Sequence, residues 1–305
     1  MQSNKEVAMQ SNMPFVSIII NCFNGEKYIG DAINFALRQT YPDFELIIWD
    51  NQSTDNTLSV IKTFHDPRIN YCYAPEHTTL ARARNNAVEC AKGAWIAFLD
   101  CDDIWLPEKL LLQVAVIKAA PCSLSIVYGR SDLLVENAAI KTTETKRLRS
   151  LYLNRPLPTE TAFEELLNYN SFFVFSSVMI KKEDYLAING IDSKYKYAED
   201  YDLFLKIAEN KTVSAVNEKI VTYRIHGSNL TSQYKRELLL ESKDILNRYK
   251  HNTSHMFGLE KIDFQLSILD LKKGKVLSFL SYFTSFHRIS IFFHMFQKRF
   301  RKGNS

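Results

Sequence analysis

Trp95-Ile96-Ala97-Phe98-Leu99-Asp100-Cys101-Asp102-Asp103 is an apolar run that ends in three carboxylates within four residues. A short continuous apolar run closed by acids reads as a strand buried on both faces, ending at a turn. Upstream, the same kind of run recurs between helical patterns. Phe15 to Ile20 is a first strand, rich in β-branched residues, and Glu26 to Arg38 follows with helical spacing at Tyr28, Ile29, Ala32, Ile33, Ala36 and Leu37. Phe44 to Trp49 is a second strand, Asp55 to Phe64 a helix, Ile69 to Tyr73 a third strand and Ala81 to Ala91 a helix. Trp95 to Leu99 is then the fourth strand. Strands of this kind alternating with helices predict an α/β fold with a mainly parallel, Rossmann-like sheet covered on both faces.

Downstream of Pro107 the pattern is less regular. Glu108 to Lys118 reads as a helix and Ser125 to Tyr128 as a strand, with a polar excursion from Ser131 to Arg155. Phe172 to Ile180 is expected to be a strand and Asp200 to Glu209 a helix. Thr212 to Val216 and Ile220 to Arg224 are expected to be two short strands, and helix follows from Gln233.

Right-handed crossovers place the C-terminal ends of parallel strands on one edge of the sheet. Ligands of open α/β sheets bind outside that edge. Asn21 follows the first strand, Asp50-Asn51 the second and Asp100-Cys101-Asp102 the fourth. These are either three ordinary turn and cap positions or one polar crevice.

Three adjacent carboxylates repel one another unless a cation joins them. Mg²⁺ and similar ions take one or two carboxylates together with substrate phosphates. Asp100 and Asp102 are therefore candidate ligands, and Asp103 is expected at most to cap the next helix. Asp50 either accepts hydrogen bonds from a base or ribose, or caps a helix with Ser53 and Asp55. Arg84 offers a fork suited to phosphate or a salt bridge to a surface acid; Asn85 is beside it. Glu199-Asp200 opens a helix, where acids suit the dipole, or else supplies a general base for a hydroxyl. His226, after Tyr223-Arg224-Ile225, is a metal or phosphate contact or a structural imidazole.

The chain has 305 residues and a net charge of +4. The five cysteines are odd in number and form no C-x-x-C pair, which argues against a zinc site or disulfide framework and for a reducing compartment. Residues 1–13 are polar and read as a disordered N-terminus without a signal peptide. No run of about 18 apolar residues suggests a spanning helix. Nothing in the charge pattern specifies nucleic acid.

The motifs Val16-Ser17-Ile18-Ile19-Ile20-Asn21-Cys22-Phe23-Asn24, Gln39-Thr40-Tyr41-Pro42-Asp43-Phe44-Glu45, Trp49-Asp50-Asn51-Gln52-Ser53-Thr54-Asp55-Asn56-Thr57 and Ala83-Arg84-Asn85-Asn86-Ala87 resemble family 2 glycosyltransferases. So do Phe98 to Asp103 and Ala198-Glu199-Asp200-Tyr201-Asp202-Leu203. The resemblance covers residues 14–230 and is of the bacterial surface-polysaccharide type. It implies a GT-A fold, a nucleotide-sugar donor, Mg²⁺ or Mn²⁺, and inversion at the anomeric carbon. By the same resemblance, Asn21, Phe23, Asn24, Asp50, Asn51, Arg84, Asn85, Asp100 and Cys101 bind the donor. Asp102, Asp100 and His226 hold the metal. Glu199-Asp200 supplies the base, with Asp200 favoured. The family often has Asp-Asp-Gly-Ser where this chain has Asp50-Asn51-Gln52-Ser53, and Tyr where this chain has Phe23.

Residues 231–305 are expected to form a helical extension. From Val276 to Phe300 it is rich in Phe, with Lys272, Lys273, Lys275, Arg288, Lys298, Arg299, Arg301 and Lys302 in and around it. An aromatic, basic, amphipathic helix can lie in a membrane interface; packing on the catalytic domain or a dimer contact is the other reading. The expectation is a cytoplasmic enzyme, peripheral at the inner face of the membrane, acting on a glycan or lipid-linked acceptor. Two alternatives are a sugar nucleotidyltransferase, disfavoured by the single glycine in Asn21 to Gly25, and a non-catalytic nucleotide-sugar or glycan-binding module.

Overall fold

The computed structural model describes residues 15–136, 156–169, 172–227 and 229–282. The N-terminal segment 1–13, nearly all of the polar excursion and the aromatic tail from Phe283 on lie outside the described residues. The chain forms two compact units, one of residues 1–162 and 172–229, the other of 163–171 and 230–305.

The first unit carries an eight-stranded sheet in the order β3-β2-β1-β4-β7-β6-β8-β5. Its strands are β1 (Val16–Cys22), β2 (Phe44–Asp50), β3 (Ile69–Tyr73), β4 (Trp95–Phe98), β5 (Ile104–Trp105), β6 (Ile126–Val135), β7 (Met179–Lys181) and β8 (Val213–Ile225). The helices of this unit are α1 (Ile29–Leu37), α2 (Thr57–Ile61), α3 (Leu80–Cys90), α4 (Lys109–Ala119), α6 (Lys182–Ala187) and α7 (Glu199–Ala208). Between them lies α5 (Ala162–Leu167), which from Phe163 on belongs to the second unit. β1 to β4, β6 and β8 run one way, and β7 and β5 run against them.

Strand alternation sorts the side chains of β1. Val16, Ile18, Ile20 and Cys22 join Ile29, Ala32, Ile33 and Ala36 of α1 and Leu110 and Val114 of α4 in one apolar cluster. Ile19 points to the other face and is equally buried, where α3 packs on β1 and β2. Burial on both faces is why β1 has no polar alternation.

The α/β class and the mainly parallel sheet are as the sequence implied; three local expectations change and one short strand is added. Phe172 to Ile180 is not one strand: Phe175–Ser177 is a 3₁₀ turn, and only Met179–Lys181 joins the sheet, antiparallel. The strand starting near Ser125 runs on to Val135, five residues into the expected excursion. The two strands expected between Thr212 and Arg224 are one, since β8 pairs along the whole of β6, with register shifts around Arg130. Gly129 sits at that irregularity because a Cβ there would lie 2.5 Å from Ile220 Cδ1. Finally, Ile104–Trp105 is a two-residue strand on β8, too short for any periodicity to show.

The second unit holds α8 (Leu230–Gln233), α9 (Lys235–Leu246), α10 (Ser254–Lys272) and α11 (Val276–Ser281). α9 and α10 pack on each other, tied by Lys243–Asp263 and by Arg236 Nη1 to Asp270 Oδ1 at 2.8 Å. On α11, Val276, Leu277 and Leu280 are exposed, with Leu277 at 83%.

Candidate functional site

The sheet register brings the ends of β1, β2 and β3 level, with Cys22 opposite Asp50 and Asp50 opposite Tyr73. β4 ends beside β1, with Phe98 opposite Ile19. Polar residues following these strands therefore share one edge, in two corners.

At the β1–β2 corner the polar groups bond mainly to one another. Buried Asp50 accepts from the Ser53 amide (2.8 Å) and from the Tyr71 hydroxyl (3.0 Å). Burial first, and Asp50 second, push the Tyr71 phenol well above its ordinary range. The Asn51 amide donates to Thr78 O (2.8 Å) and accepts from Thr78 N (3.1 Å) and Oγ1 (3.3 Å). Asn24 stands at φ 52°, and its Oδ1 accepts from Thr54 N at 2.8 Å. Gln52 replaces the family's usual glycine at φ 67°, a left-handed region that favours glycine. Its amide anchors to Pro75 O at 2.9 Å, which offsets part of that strain. Phe23 is half exposed and lies 4.3 Å from the His77 ring, centroid to centroid.

The β4 corner is charged. Arg84, on α3, is buried and bonds Asp100 Oδ1 (2.7 Å) and Glu199 Oε1 (2.9 Å), with its guanidinium 4.0 Å over the Phe175 ring. Burial opposes its charge, and Asp100 and Glu199 outweigh burial. The fork predicted for phosphate or a surface acid thus joins two site acids at a distance of 115 residues in sequence from one of them. Burial pushes Glu199 up to about 7, with Asp200 adding repulsion against the pull of Arg84. Asp200, half buried at the start of α7, is also raised by burial.

Asp102 Oδ2 lies 2.8 Å from His226 Nε2. Burial and then Asp100 raise the Asp102 carboxyl, and the His226 bond partly offsets them. Asp103 does not cap a helix: α4 starts at Lys109 after Glu108. It is buried and accepts from Ser176 Oγ (2.6 Å) and the Arg224 amide (3.1 Å), with its carboxyl driven well upward by burial. The Cys101 thiol donates to Asn21 O at 3.2 Å, while Asn21 Nδ2 is buried without a partner. Asn85 clasps Ile191, donating to its carbonyl (2.8 Å) and accepting from its amide (3.0 Å). The clasp leaves no room for a side chain at Gly190, where a Cβ would meet Asn85 Oδ1 at 2.5 Å.

Three supporting residues had no place in the sequence reading. Ser176 receives the Asp100 amide (3.1 Å) as well as serving Asp103. Arg224 donates from Nε to Asp102 O (2.7 Å) and from Nη1 to Glu136 (3.0 Å). Asn229 Oδ1 accepts from the His226 amide at 2.6 Å. Only Arg224 left a signal, since strand alternation places it on the same face as His226.

Among the described residues no three His, Cys, Asp or Glu side chains form a complete ion-binding group. Asp102 Oδ2 and His226 Nε2 face each other, one hard oxygen and one nitrogen, while Asp100 Oδ1 is held by Arg84. One carboxylate and one imidazole match the partial protein ligand sets of ions that take their remaining ligands from phosphate.

The model of the family described as "Glycosyl transferase family 2" matches residues 17–185. The chain is 39% identical over 72% of its length to the putative teichuronic acid biosynthesis glycosyltransferase TuaG of Bacillus subtilis, covering 82% of that protein. It is 31% identical over 75% of its length to the UDP-Glc:alpha-D-GlcNAc-diphosphoundecaprenol beta-1,3-glucosyltransferase WfaP of Escherichia coli, covering 85% of it. The similarly described WfgD of Escherichia coli is 28% identical, over 85% of this chain and 98% of that protein. Among solved structures, Staphylococcus aureus TarS 1–349 in complex with UDP-GlcNAc superposes with a TM-score of 0.59 at 16% identity, over 90% of this chain and 78% of that one. The mannosyltransferase PcManGT of Pyrobaculum calidifontis, with GDP-Man and Mn²⁺, gives 0.63 at 13% identity, over 92% and 79%.

Proposed function

The chain belongs to glycosyl transferase family 2, and from that premise we propose that it moves a sugar from a UDP-sugar to a hydroxyl of a lipid-diphosphate-linked glycan, inverting the anomeric centre. The observation that carries this reading is the buried bridge Asp100–Arg84–Glu199. It ties the diphosphate end of the crevice to the segment that holds Asp200.

Asp200 takes the proton of the acceptor hydroxyl. The freed oxygen bonds to the anomeric carbon as the bond from that carbon to the diphosphate oxygen breaks, and the nucleoside diphosphate leaves. Burial raises Asp200, which strengthens it as a base. Glu199 is the anchor for Arg84, and Arg84 is a positioning residue. Asp102, His226 and Asp100 would hold Mg²⁺ or Mn²⁺, which when bound neutralises charge building on the leaving diphosphate.

The acceptor class rests on the two Escherichia coli relatives, which are named for diphosphoundecaprenol-linked GlcNAc. The relative named for teichuronic acid biosynthesis supports a role in surface-polysaccharide synthesis. No helix among the described residues is long and apolar enough to cross a membrane. The exposed Val276, Leu277 and Leu280 of α11, with Lys272, Lys273 and Lys275 beside them, suit an anionic lipid surface, where each basic group adds about 1 kcal/mol.

One assay tests the reading. The full chain is given UDP-glucose or UDP-GlcNAc and GlcNAc-diphosphoundecaprenol in anionic or neutral vesicles. UDP release should require acceptor and Mn²⁺ or Mg²⁺, stop with EDTA, and run faster on anionic vesicles. Release independent of both acceptor and metal overturns it.

A further inference from the structure

Cys72 and Cys90 stand with their Sγ atoms 3.8 Å apart, unbonded and half-buried. Cys72 is on β3, the edge strand of the sheet, and Cys90 is the last residue of α3. The other cysteines are placed differently. Cys22 is buried, the Cys101 thiol donates to Asn21 O at 3.2 Å, and Cys122 is exposed. A disulfide holds its sulfurs about 2.05 Å apart, so the Cys72–Cys90 pair must close by about 1.8 Å. Both backbones can give that much. β3 pairs on one side only, with β2. The chain turns out of α3 directly after Cys90, since Ala91 is extended with ψ 133°.

We propose that Cys72 and Cys90 form a reversible oxidation site, which a peroxide converts to a disulfide joining β3 to α3. The Cys90 thiolate bonds to one peroxide oxygen as the O–O bond breaks, leaving Cys90 as a sulfenic acid. The hydroxide released takes up the proton that Cys90 gave up, as water. The Cys72 sulfur then attacks the Cys90 sulfur, the S–O bond breaks, and the departing hydroxide leaves with the Cys72 proton as a second water. Both thiols are oxidised and the peroxide is reduced; a dithiol reverses the change by exchange. The order of attack follows from burial and then from Cys90, which push the Cys72 thiol up to about 11. Cys72 therefore keeps its proton until the second step. The two cysteines are 18 positions apart, and Arg84 and Asn85 lie between them. A link here removes freedom from the unfolded chain across the segment that carries the Asp100–Arg84–Glu199 bridge. The folded chain then holds more firmly in oxidant than in reductant.

The full chain treated with hydrogen peroxide, quenched with catalase and digested without reductant tests this. Mass spectrometry should find the Cys72 and Cys90 peptides joined, and separate again after dithiothreitol. The thermal midpoint of the oxidised chain should lie about 5–10 °C above that of the reduced chain, as a loop of this length predicts, and should return with dithiothreitol. Cys122→Ser should keep the link and the shift, and Cys90→Ser should lose both. The oxidised and reduced forms of the unaltered chain differ by no substitution, so a fold damaged by Cys90→Ser leaves the test intact. Peroxide that yields no Cys72–Cys90 peptide, or a link that leaves the midpoint unmoved or lowered, overturns the proposal.

Discussion

The two corners of the crevice are built on opposite principles. Around Asp50 and Asn51 the polar groups close on each other, so that corner contributes shape and backbone placement. Around Asp100 five carboxyls gather, Asp100, Asp102, Asp103, Glu199 and Asp200; the Arg84 guanidinium bonds Asp100 and Glu199, the Arg224 main-chain amide bonds the Asp103 carboxyl, and Arg224 Nε bonds the Asp102 carbonyl. Several of those acids are raised by burial and mutual repulsion. Displaced protonation equilibria concentrate at working sites, which supports the proposal that the second corner carries the chemistry and the first the recognition.

The largest test strikes the charged corner directly. Asp200→Asn removes the proposed base while keeping size and hydrogen bonding, and kcat should fall by about 10²–10⁴-fold. UDP affinity, measured by calorimetry, should stay within about twofold, as expected of a group that acts on the acceptor. Unchanged turnover with the lipid-linked acceptor would remove Asp200 from this role. Next in size is Arg84→Met. Taking one partner from a buried ion pair costs about 3–5 kcal/mol, here because Glu199 loses its cation. Urea unfolding should report that loss, and Glu199→Gln in the same chain should restore part of it.

The contrast between corners also separates what sequence can and cannot reveal. β1 to β4 and their helices were readable because each carries its own period, and the acids were readable because they directly follow a buried run. Arg84 was readable as a residue but not as a bridge, since its partner Glu199 is set by tertiary folding. Phe172 to Ile180 is apolar throughout, and such a run has no period to separate strand from turn. There the 3₁₀ turn places Ser176 under Asp103 and Asp100, a contact with no local signature. Asn51 and Asn85 are donor contacts by the family resemblance, and their backbone partners have no local signature in the sequence. Both close on backbone 27 and 106 residues away in sequence, a separation that only the fold brings together.

Glu199 supplies a gentler probe of the charged corner. Its ordinary value is 4.5 and burial lifts it to about 7. Between those values the folded chain keeps a proton that the unfolded chain has released, so stability falls as pH rises through the window. Urea midpoints at pH 5 and pH 7.5 should show that decline, and Glu199→Gln should flatten it.

The smallest effect belongs to the self-closed corner. Tyr71→Phe removes the hydroxyl that donates to Asp50. Asp50 keeps the Ser53 amide on its other oxygen, so the loss is one charge-assisted bond, about 1.5–3 kcal/mol by urea unfolding. If Asp50 serves only to hold the loop, the KM for the donor should stay within about twofold once the enzyme is assayed well below its melting temperature. A large rise in KM with little loss of stability would mean that Asp50 also faces the nucleotide, and the division between a shaping corner and a reacting corner would have to be redrawn at that residue.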